Sequence, residues 1–224
     1  EIVVFVCEAK AGDVRLDLAK RAVQKAQTLR HPTVLAHKSA HESTSSVYLA
    51  TEPVLPLAIS LETVTGDKKS EAIAWGVSQL ADAVDFLGKT GMVHGNIGAH
   101  SIFVTPSGDW KLSGLELLCQ VDEIPSHLRP NHAQFDRRYM APEIQSSDWS
   151  QVQPLSTDTW SLACVLFEAF DGTLSDPSDL KRTNNIPPAL LRDYKRLIHQ
   201  DPARRLTPSK LKEGQFFQDS TTVA

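Results

Sequence analysis

The stretch LSTDTWSLACVLFE, residues 155–168, decides the fold. After Asp158 it is apolar almost all round, which is typical of a helix buried in the centre of a domain. Asp158 itself is the expected N-cap, because a carboxylate can accept a hydrogen bond from an unpaired backbone N–H of the first turn. The segment therefore predicts a large helical domain built around it.

Further helical and turn patterns lie on both sides of this segment. Upstream, apolar residues spaced for one face of a long helix occur at Ile73, Val77, Leu80, Val84 and Leu87. SIFVTPSGDWKLSGL, residues 101–115, predicts a hairpin with its turn at residues 106–109. Downstream, we expect a helix over residues 188–199 and a second one after Thr207, an N-cap followed by proline.

The first 56 residues have a different character. They predict strands over residues 2–10, 34–38 and 47–53, with a helix over residues 16–29 between the first two. Because EIVVFVC opens directly on a strand, we expect earlier sequence of the same sheet to be absent. The predicted division is a sheet-rich lobe over 1–56, a helical lobe over 57–220 and a tail over 221–224, with residues 219–224 disordered.

Composition limits the possible partners. The 224 residues carry a net charge of -4, which gives no general attraction to nucleic acid or anionic lipid. One basic cluster, RPNHAQFDRR at residues 129–138, is predicted to be a solvated loop with one arginine packed on the domain. The chain has no run of 18 apolar residues, so we expect no direct membrane insertion and a cytoplasmic protein. Cys7, Cys119 and Cys164 are predicted to be reduced core thiols.

Three motifs in order carry a family resemblance. RRYMAPE (residues 137–143), the helix at 155–168 and DPARR (201–205), joined to LRHPTVL (29–35), resemble the eukaryotic protein kinase fold. The resemblance implies an α+β, bilobal fold with a small sheet-rich N-lobe, truncated at its start, and a larger helical C-lobe. It also implies a buried ion pair between Glu143 and Arg205, and hydrogen bonds from backbone N–H groups near His94 to Asp158.

The positions that carry chemistry in a kinase hold other residue types here. By the resemblance, Asn96 stands at the base position, Gly98 at the loop lysine, Ser101 and Gly114 at the metal ligands, and Ala22 at the helix glutamate. An amide carries no basic lone pair at neutral pH, glycine offers no ligand, and a serine hydroxyl is a weak ligand for Mg²⁺. We therefore predict no catalytic residue, no metal and no cofactor.

Lys10 matches the strand lysine that holds ATP phosphates in active kinases. Two residues earlier, Glu8 occupies a position where kinases carry a small residue against adenine. One hypothesis is that Glu8 and Lys10 neutralise each other across an empty cleft, because Ala22 offers Lys10 no partner. The alternative is that Lys10 extends to solvent.

Other candidate residues are interpreted as structural. His37 and His41 are four residues apart, but KSAH (38–41) is predicted to be a loop without a third ligand, so zinc binding is not expected. His100 and Ser101 are adjacent in the sequence, and adjacent side chains seldom face each other. We therefore do not expect them to form a catalytic pair. The tryptophans are predicted to lie in the core or at its edge, at positions Trp75, Trp110, Trp149 and Trp160.

Among kinase-like proteins the chain resembles the Scy-like family of pseudokinases, also called N-terminal kinase-like proteins. The resemblance rests on FVCEAK (5–10), TEPVLPL (51–57), Trp75-Gly76 and FVTPSGDWKLSGLELL (103–118). It implies a scaffold for coat-protein-dependent Golgi-to-ER vesicle traffic, with vesicle coat or trafficking proteins as partners and peripheral attachment to Golgi or ER-Golgi membranes through them.

Two alternatives stay open. The first is a tRNA-export adaptor that uses Arg129, Arg137 and Arg138, although the net charge does not indicate tRNA binding. The second is a weak, atypical ATP-binding kinase in which Glu116 serves as a substitute metal ligand.

Overall fold

Antiparallel strands and one helix form the first part of the chain. In the computed structural model, which describes residues 1–221, the strands are β1 (Val3–Glu8), β2 (His37–Glu42), β3 (Ser46–Thr51), β4 (Leu55–Pro56), β5 (Met92–Val93), β6 (Ile102–Val104), β7 (Trp110–Leu112) and β8 (Cys119–Gln120). The helices are α1 (Val14–Thr28), α2 (Leu57–Glu62), α3 (Asp67–Lys89), α4 (Pro142–Gln145), α5 (Pro154–Asp171), α6 (Pro188–Leu197), α7 (Pro208–Lys212) and α8 (Gln215–Thr221).

The N-terminal sheet has the strand order β1-β3-β2, and α1 packs against it. Asp13 caps α1, since its carboxylate accepts a hydrogen bond from the Arg15 N–H at 2.9 Å. The predicted strand at 34–38 is wrong in position: Val34 makes only an isolated bridge to Leu112, and the strand is β2. KSAH is therefore part of a strand and not a loop, because β2 pairs along β3 to close the sheet.

Two long helices form the centre of the larger part. The predicted apolar face of α3 is confirmed: Ile73, Val77, Leu80, Val84 and Leu87 have no solvent exposure. This face packs against α5, whose residues from Leu162 to Phe167 are equally buried. Burial all round α5 is what its apolar sequence predicts, because helices and loops cover it on every side.

The predicted hairpin is β6 paired with β7, and Gly108 in its turn has a φ of 89°. Thr207 caps α7 as predicted, since its hydroxyl accepts from the Lys210 N–H. Residues 219–221 close helix α8, contrary to the predicted disorder, while residues 222–224 lie outside the described residues. In residues 1–221, no helix is long and apolar enough to cross a membrane.

Three further predictions are wrong. Asp158 is not an N-cap, because α5 already begins at Pro154 and Asp158 lies inside the helix. Trp75 is not in the core: it is 55% exposed, and its indole N–H donates to Asp109 at 3.2 Å. Cys7 is a free thiol but only half-buried, since it lies on a strand face that borders a cavity, whereas Cys119 and Cys164 are buried and free.

Candidate functional site

A loop after β5 carries the candidate site, and the central helix holds it in place. The backbone N–H groups of His94 and Gly95 donate to the two carboxylate oxygens of Asp158 at 2.7 and 3.0 Å. Gly95 has a φ of 74°, a left-handed conformation that glycine adopts without strain. Burial raises the pKa of Asp158 to about 7, and the two N–H donors oppose that rise. The contact implied by the kinase resemblance is therefore present.

The imidazole of His94 is fully buried and hydrogen-bonded on both sides. Its Nε2–H donates to the Ser113 carbonyl at 3.0 Å, and its Nδ1 accepts from the Asn96 N–H at 3.2 Å. These partners fix the neutral tautomer with the proton on Nε2. Burial lowers the pKa of His94 to about 4, so the ring is neutral at physiological pH. Its two hydrogen bonds connect the loop after β5 to Ser113 and fix the backbone at Asn96.

Asn96, which the resemblance assigns to the base position, is hydrogen-bonded within the protein through both ends of its amide. Its Nδ2 donates to Glu116 Oε1 at 2.5 Å, and its Oδ1 accepts from His100 Nε2–H at 3.0 Å. Burial raises the pKa of Glu116, an effect that the hydrogen bond from Asn96 opposes. The amide thus links the loop to the turn at residues 114–117 and has no capacity to remove a proton.

The neighbouring positions are closed by packing. Ser101 Oγ donates to the Gly98 carbonyl at 3.0 Å and accepts from the Gly98 N–H at 3.1 Å. A Cβ on Gly98 would lie 2.7 Å from the His100 ring, and a Cβ on Gly114 would lie 2.8 Å from the Ser101 Cβ. Neither glycine position has room for a lysine or aspartate side chain without movement of its neighbours.

Of the two hypotheses for Glu8 and Lys10, the structure agrees with the one in which Lys10 extends to solvent. Side chains alternate along β1, and Phe5 and Cys7 face the cavity while Glu8 is exposed and accepts from the Tyr48 hydroxyl at 3.2 Å. Lys10 lies beyond the end of β1 and is exposed. Within residues 1–221 no ion pair joins it to Glu8, so the two do not neutralise each other across the cleft. The β1 residues that line the cavity are Phe5, Val6 and Cys7, and Ala22 of α1 lines it as well.

Helix α1 is fixed by contacts that the sequence did not reveal. Arg21 on α1 donates to the Leu118 carbonyl at 3.2 Å and to Glu123 at 3.3 Å, and Lys25 lies 4.0 Å from Glu123. The i, i+4 spacing of the two cations was the available signal, because it places both on one helix face. These contacts hold α1 against the segment after β7, although Ala22 provides no glutamate.

The residues present do not fit Mg-ATP, the group that the kinase fold implies. Among the described residues that line the cavity, Glu116 is the one carboxylate, and it accepts a hydrogen bond from Asn96. In the described part of the chain, no three His, Cys, Asp or Glu side chains come together as a metal site. In its ionised form the Glu116 carboxylate would also repel phosphates.

The scaffold contacts of the fold are present. Arg205 donates to both carboxylate oxygens of Glu143 at 2.8 and 2.7 Å, with side-chain exposures of 0% and 2%. The Thr157 hydroxyl donates to Glu143 as well, at 2.9 Å. This buried, bidentate pair joins α4 to the turn before α7.

The basic cluster is divided between packed and exposed arginines. Arg138 pairs with Asp136 at 2.6 Å and lies over the Tyr139 ring, whereas Arg129 and Arg137 are exposed. The prediction of a solvated loop with one packed arginine is confirmed. His37 and His41 lie on β2, and the described residues provide no third ligand beside them.

A small antiparallel N-terminal sheet with α1, a helical part built on α3 and α5, and a loop bound to Asp158 together define a protein kinase fold. The protein kinase domain family matches residues 6–217, and the chain belongs to that family. Both the α+β fold class and the family resemblance predicted from the sequence are confirmed.

Within this family the chain is similar to proteins of the Scy1 type. It is 34% identical, over 96% of its length, to "Probable inactive serine/threonine-protein kinase scy1" of Dictyostelium discoideum. It is 26% identical, over 100% of its length, to human "SCY1-like protein 2", and 35% identical over 60% of its length to mouse "Protein-associating with the carboxyl-terminal domain of ezrin". The chain spans 27%, 30% and 18% of these proteins.

Proposed function

We propose that this chain is a catalytically inactive kinase domain that acts as a scaffold in coat-protein-dependent Golgi-to-ER vesicle traffic. The observation that carries the proposal is the bond between Asn96 and Glu116. By the resemblance, Asn96 stands at the position of the kinase base, and its amide is hydrogen-bonded to Glu116, the carboxylate that could otherwise serve as a substitute metal ligand.

The scaffold role is supported by the contrast between fold and chemistry. The Glu143–Arg205 pair and the Asp158 contacts maintain the shape of the domain, while a larger side chain at Gly98 or Gly114 would require the neighbouring side chains to move. The similar Dictyostelium protein is named as probably inactive, and the mouse relative is named for association with another protein. We extend both properties to this chain, with vesicle coat or trafficking proteins as partners and peripheral Golgi or ER-Golgi attachment through them.

A nucleotide test separates this proposal from an atypical kinase. We expect millimolar Mg-ATP to leave the thermal midpoint unchanged and radiolabelled ATP to give no protein-bound phosphate. A ligand that binds only the folded state must raise the midpoint in proportion to its occupancy. A saturable, Mg²⁺-dependent rise together with autophosphorylation would contradict the proposal.

Glu116→Gln provides the matched variant for a cellular test. The glutamine keeps an oxygen that can accept from Asn96, but it removes the carboxylate that we consider as a substitute metal ligand. In cells depleted of the protein, we expect the full-length protein with Glu116→Gln to restore Golgi-to-ER retrieval of a reporter as well as the unmodified protein. Failure of a folded Glu116→Gln protein would favour the atypical kinase.

A direct binding test addresses the partner class. Purified vesicle coat complex should bind the full-length protein equally well with and without Glu116→Gln, and with and without Mg-ATP. If coat binding is undetectable while retrieval still depends on the protein, the traffic role acts through another partner and the coat part of the proposal is wrong.

A further inference from the structure

We propose that the exposed face of α6 is a docking surface for an acidic segment of a protein partner. This face consists of Arg192, Lys195 and Arg196, and we call it the basic face. The three positions recur at i, i+3 and i+4, so their side chains lie on one side of the helix. The inference goes beyond the scaffold function, because it names a surface and the chemistry of its partner and does not depend on Golgi-to-ER traffic.

Positive charge is concentrated in the part of the chain that contains α6. Residues 181–212 hold nine of the 23 Lys and Arg residues but only two of the 27 Asp and Glu residues. This segment therefore has an excess of seven positive charges, whereas the rest of the chain has an excess of eleven negative charges, which gives the net charge of -4. Because surface charge steers association with oppositely charged partners, the segment favours an acidic partner.

Part of this charge is paired within the protein, but the basic face keeps a positive excess. Three cations of the segment form ion pairs with carboxylates of other elements, namely Arg182, Arg205 and Lys212. Arg192 and Arg196 share one carboxylate, since their nitrogens lie 3.2 and 4.0 Å from Asp193 Oδ1. Lys195 has no ion-pair partner among the described residues. Together with Asp193, the basic face therefore carries two net positive charges.

The packing of α6 presents these cations to solvent. Leu190 and Tyr194 on its opposite face are buried in the core, which fixes the rotation of the helix. The side chains of Arg192 and Arg196 are 82% and 51% exposed, whereas that of Asp193 is 5% exposed. A partner that approaches α6 therefore reaches the guanidinium groups before it reaches the carboxylate.

The position of the cations at the end of α6 explains only part of the basic face. Lys195 and Arg196 lie in the last turn, where cations interact favourably with the unpaired carbonyl groups of the helix end. Arg192 lies one turn earlier, and only its Nε is hydrogen-bonded among the described residues. Its terminal nitrogens are therefore available for a partner, and a guanidinium binds a carboxylate well through two parallel hydrogen bonds.

The extent of the basic face favours an acidic protein segment over an RNA or a membrane. An α-helix with its side chains is about 10–12 Å wide, so the face is narrow. A long polyanion or a flat anionic bilayer would extend beyond it to the rest of the chain, where carboxylates are in excess. A short segment with carboxylates one helical turn apart can contact Arg192 and Arg196 together without reaching these surroundings.

Fluorescence anisotropy with a synthetic peptide and the full-length protein tests the proposal. The probe is a twelve-residue peptide of glutamate and alanine that has glutamates four residues apart and an uncharged dye. The same peptide with glutamine in place of glutamate is the uncharged control. We expect the glutamate peptide to bind at low salt, its binding to weaken as salt is added, and the glutamine peptide not to bind.

Two charge reversals locate the binding. Lys195→Glu leaves the contacts of both arginines with Asp193 in place, and it should weaken peptide binding about tenfold, because it replaces an attraction by a repulsion. Lys38→Glu is the matched control, since Lys38 is also exposed and lies on β2 in the N-terminal sheet. It should leave peptide binding unchanged. Urea unfolding of both variants shows that they are folded.

Several results would overturn the proposal. These are no peptide binding at low salt, equal binding of the glutamine peptide, or equal weakening by Lys195→Glu and Lys38→Glu. The partner class is tested with an oligouridylate and with phosphatidylcholine vesicles that contain phosphatidylserine. If either binds more tightly than the peptide and loses that binding in Lys195→Glu, an acidic protein segment is the wrong partner. A protein that restores Golgi-to-ER retrieval but does not bind the peptide contradicts this inference alone and leaves the scaffold function standing.

Discussion

At the scale of single residues, His94 has a structural role in the loop after β5. Its Nδ1 accepts a hydrogen bond from the Asn96 N–H, so a proton on that nitrogen would break the bond. Burial lowers its pKa to about 4, below the ordinary value of 6.5. The unfolded chain therefore binds the proton first as pH falls, and His94 stabilises the fold fully only above about pH 6.5.

We predict that His94 makes the domain acid-sensitive. A pKa depressed from 6.5 to about 4 corresponds to a loss of about 2 kcal/mol in the free energy of unfolding between pH 7.5 and pH 5. His94→Phe should be less stable than the unmodified protein at pH 7.5, because it leaves the Ser113 carbonyl unpaired, and the difference should narrow at pH 5. Urea unfolding at both pH values measures it.

The free energies of unfolding of His94→Phe and of the unmodified protein must be compared at each pH, because Asp158 changes stability in the opposite direction. Its pKa is raised to about 7, so its contribution to stability falls as pH rises from 3.8 towards 7. The pH profile of the unmodified protein alone is therefore flatter than either contribution. A His94→Phe difference that is the same at pH 7.5 and pH 5 would show that His94 is not held neutral.

The buried Glu143–Arg205 pair leads to a second prediction. Loss of one partner leaves a desolvated charge, so Glu143→Leu or Arg205→Met alone should cost about 3–5 kcal/mol. The double variant should cost less than the sum, because no charge remains buried. The double variant should still be less stable than the unmodified protein, since Arg205 also donates to the His199 and Ser156 carbonyls.

Urea unfolding of the four proteins measures this coupling. The exposed pair Lys212–Asp82, with side-chain exposures of 34% and 50%, serves as the control. Its disruption should change stability by about 1 kcal/mol or less. Strictly additive losses at Glu143 and Arg205 would mean that the pair makes no specific contribution.

At the scale of elements, α1 is held in place by surface cations in place of an internal ion pair. Arg21 and Lys25 form ion pairs with Glu123, whose carboxylate also accepts a hydrogen bond from the Gln120 N–H at 2.9 Å. The Gln120 N–H is the main cause, and the two cations a lesser one, of the lowered pKa of Glu123. The helix and the segment after β7 should therefore open together.

We predict that Glu123→Gln accelerates amide hydrogen exchange in α1 and in residues 115–123. The contacts are partly exposed, so about 0.5–1 kcal/mol is involved, and the exchange should become about two- to fivefold faster. Asp122→Asn is the matched control, because it removes a neighbouring exposed charge. Equal exchange in both variants would show that the Glu123 contacts do not hold α1.

Particular elements show why only part of the fold could be predicted from the sequence. Spacing identified α3 because its large aliphatic residues recur at the interval of one helix face. In β1 the residues from Val3 to Cys7 are all apolar, so alternation gave no face, and Lys10 was assigned to the cleft although the strand ends at Glu8. Asp158 was read as a cap because its carboxylate precedes an apolar run, while its partners are 63 and 64 residues away.

The candidate site was predictable to a similar extent. The motif placed Asn96, Ser101 and Gly114 at the kinase positions, which remain assignments by resemblance. The bond between Asn96 and Glu116 spans 20 residues and follows from the packing of the loop against the turn, for which no local pattern exists. The predicted lobe boundary at residue 56 also stays a prediction, since β4 pairs with β6 across it.

At the scale of the whole molecule, charge bears on the remaining alternative of tRNA binding. The net charge is -4, and the basic cluster provides two exposed arginines, Arg129 and Arg137, because Arg138 is paired with Asp136. RNA binding of this kind depends on released counterions, and the slope of log K against log salt is set by the number of phosphates neutralised. Two free cations can support only a shallow slope.

We therefore predict no measurable binding of tRNA near physiological salt, and weak binding at low salt with a slope of about -1 to -2. Fluorescence anisotropy of labelled tRNA over a salt series measures both quantities. The Arg129→Ala/Arg137→Ala double variant should remove the weak binding, and Lys212→Ala, on a different element, should leave it unchanged. A steep slope would mean that the protein neutralises more phosphates than Arg129 and Arg137 can account for. If that steep dependence disappeared in the double variant, a tRNA adaptor would be favoured.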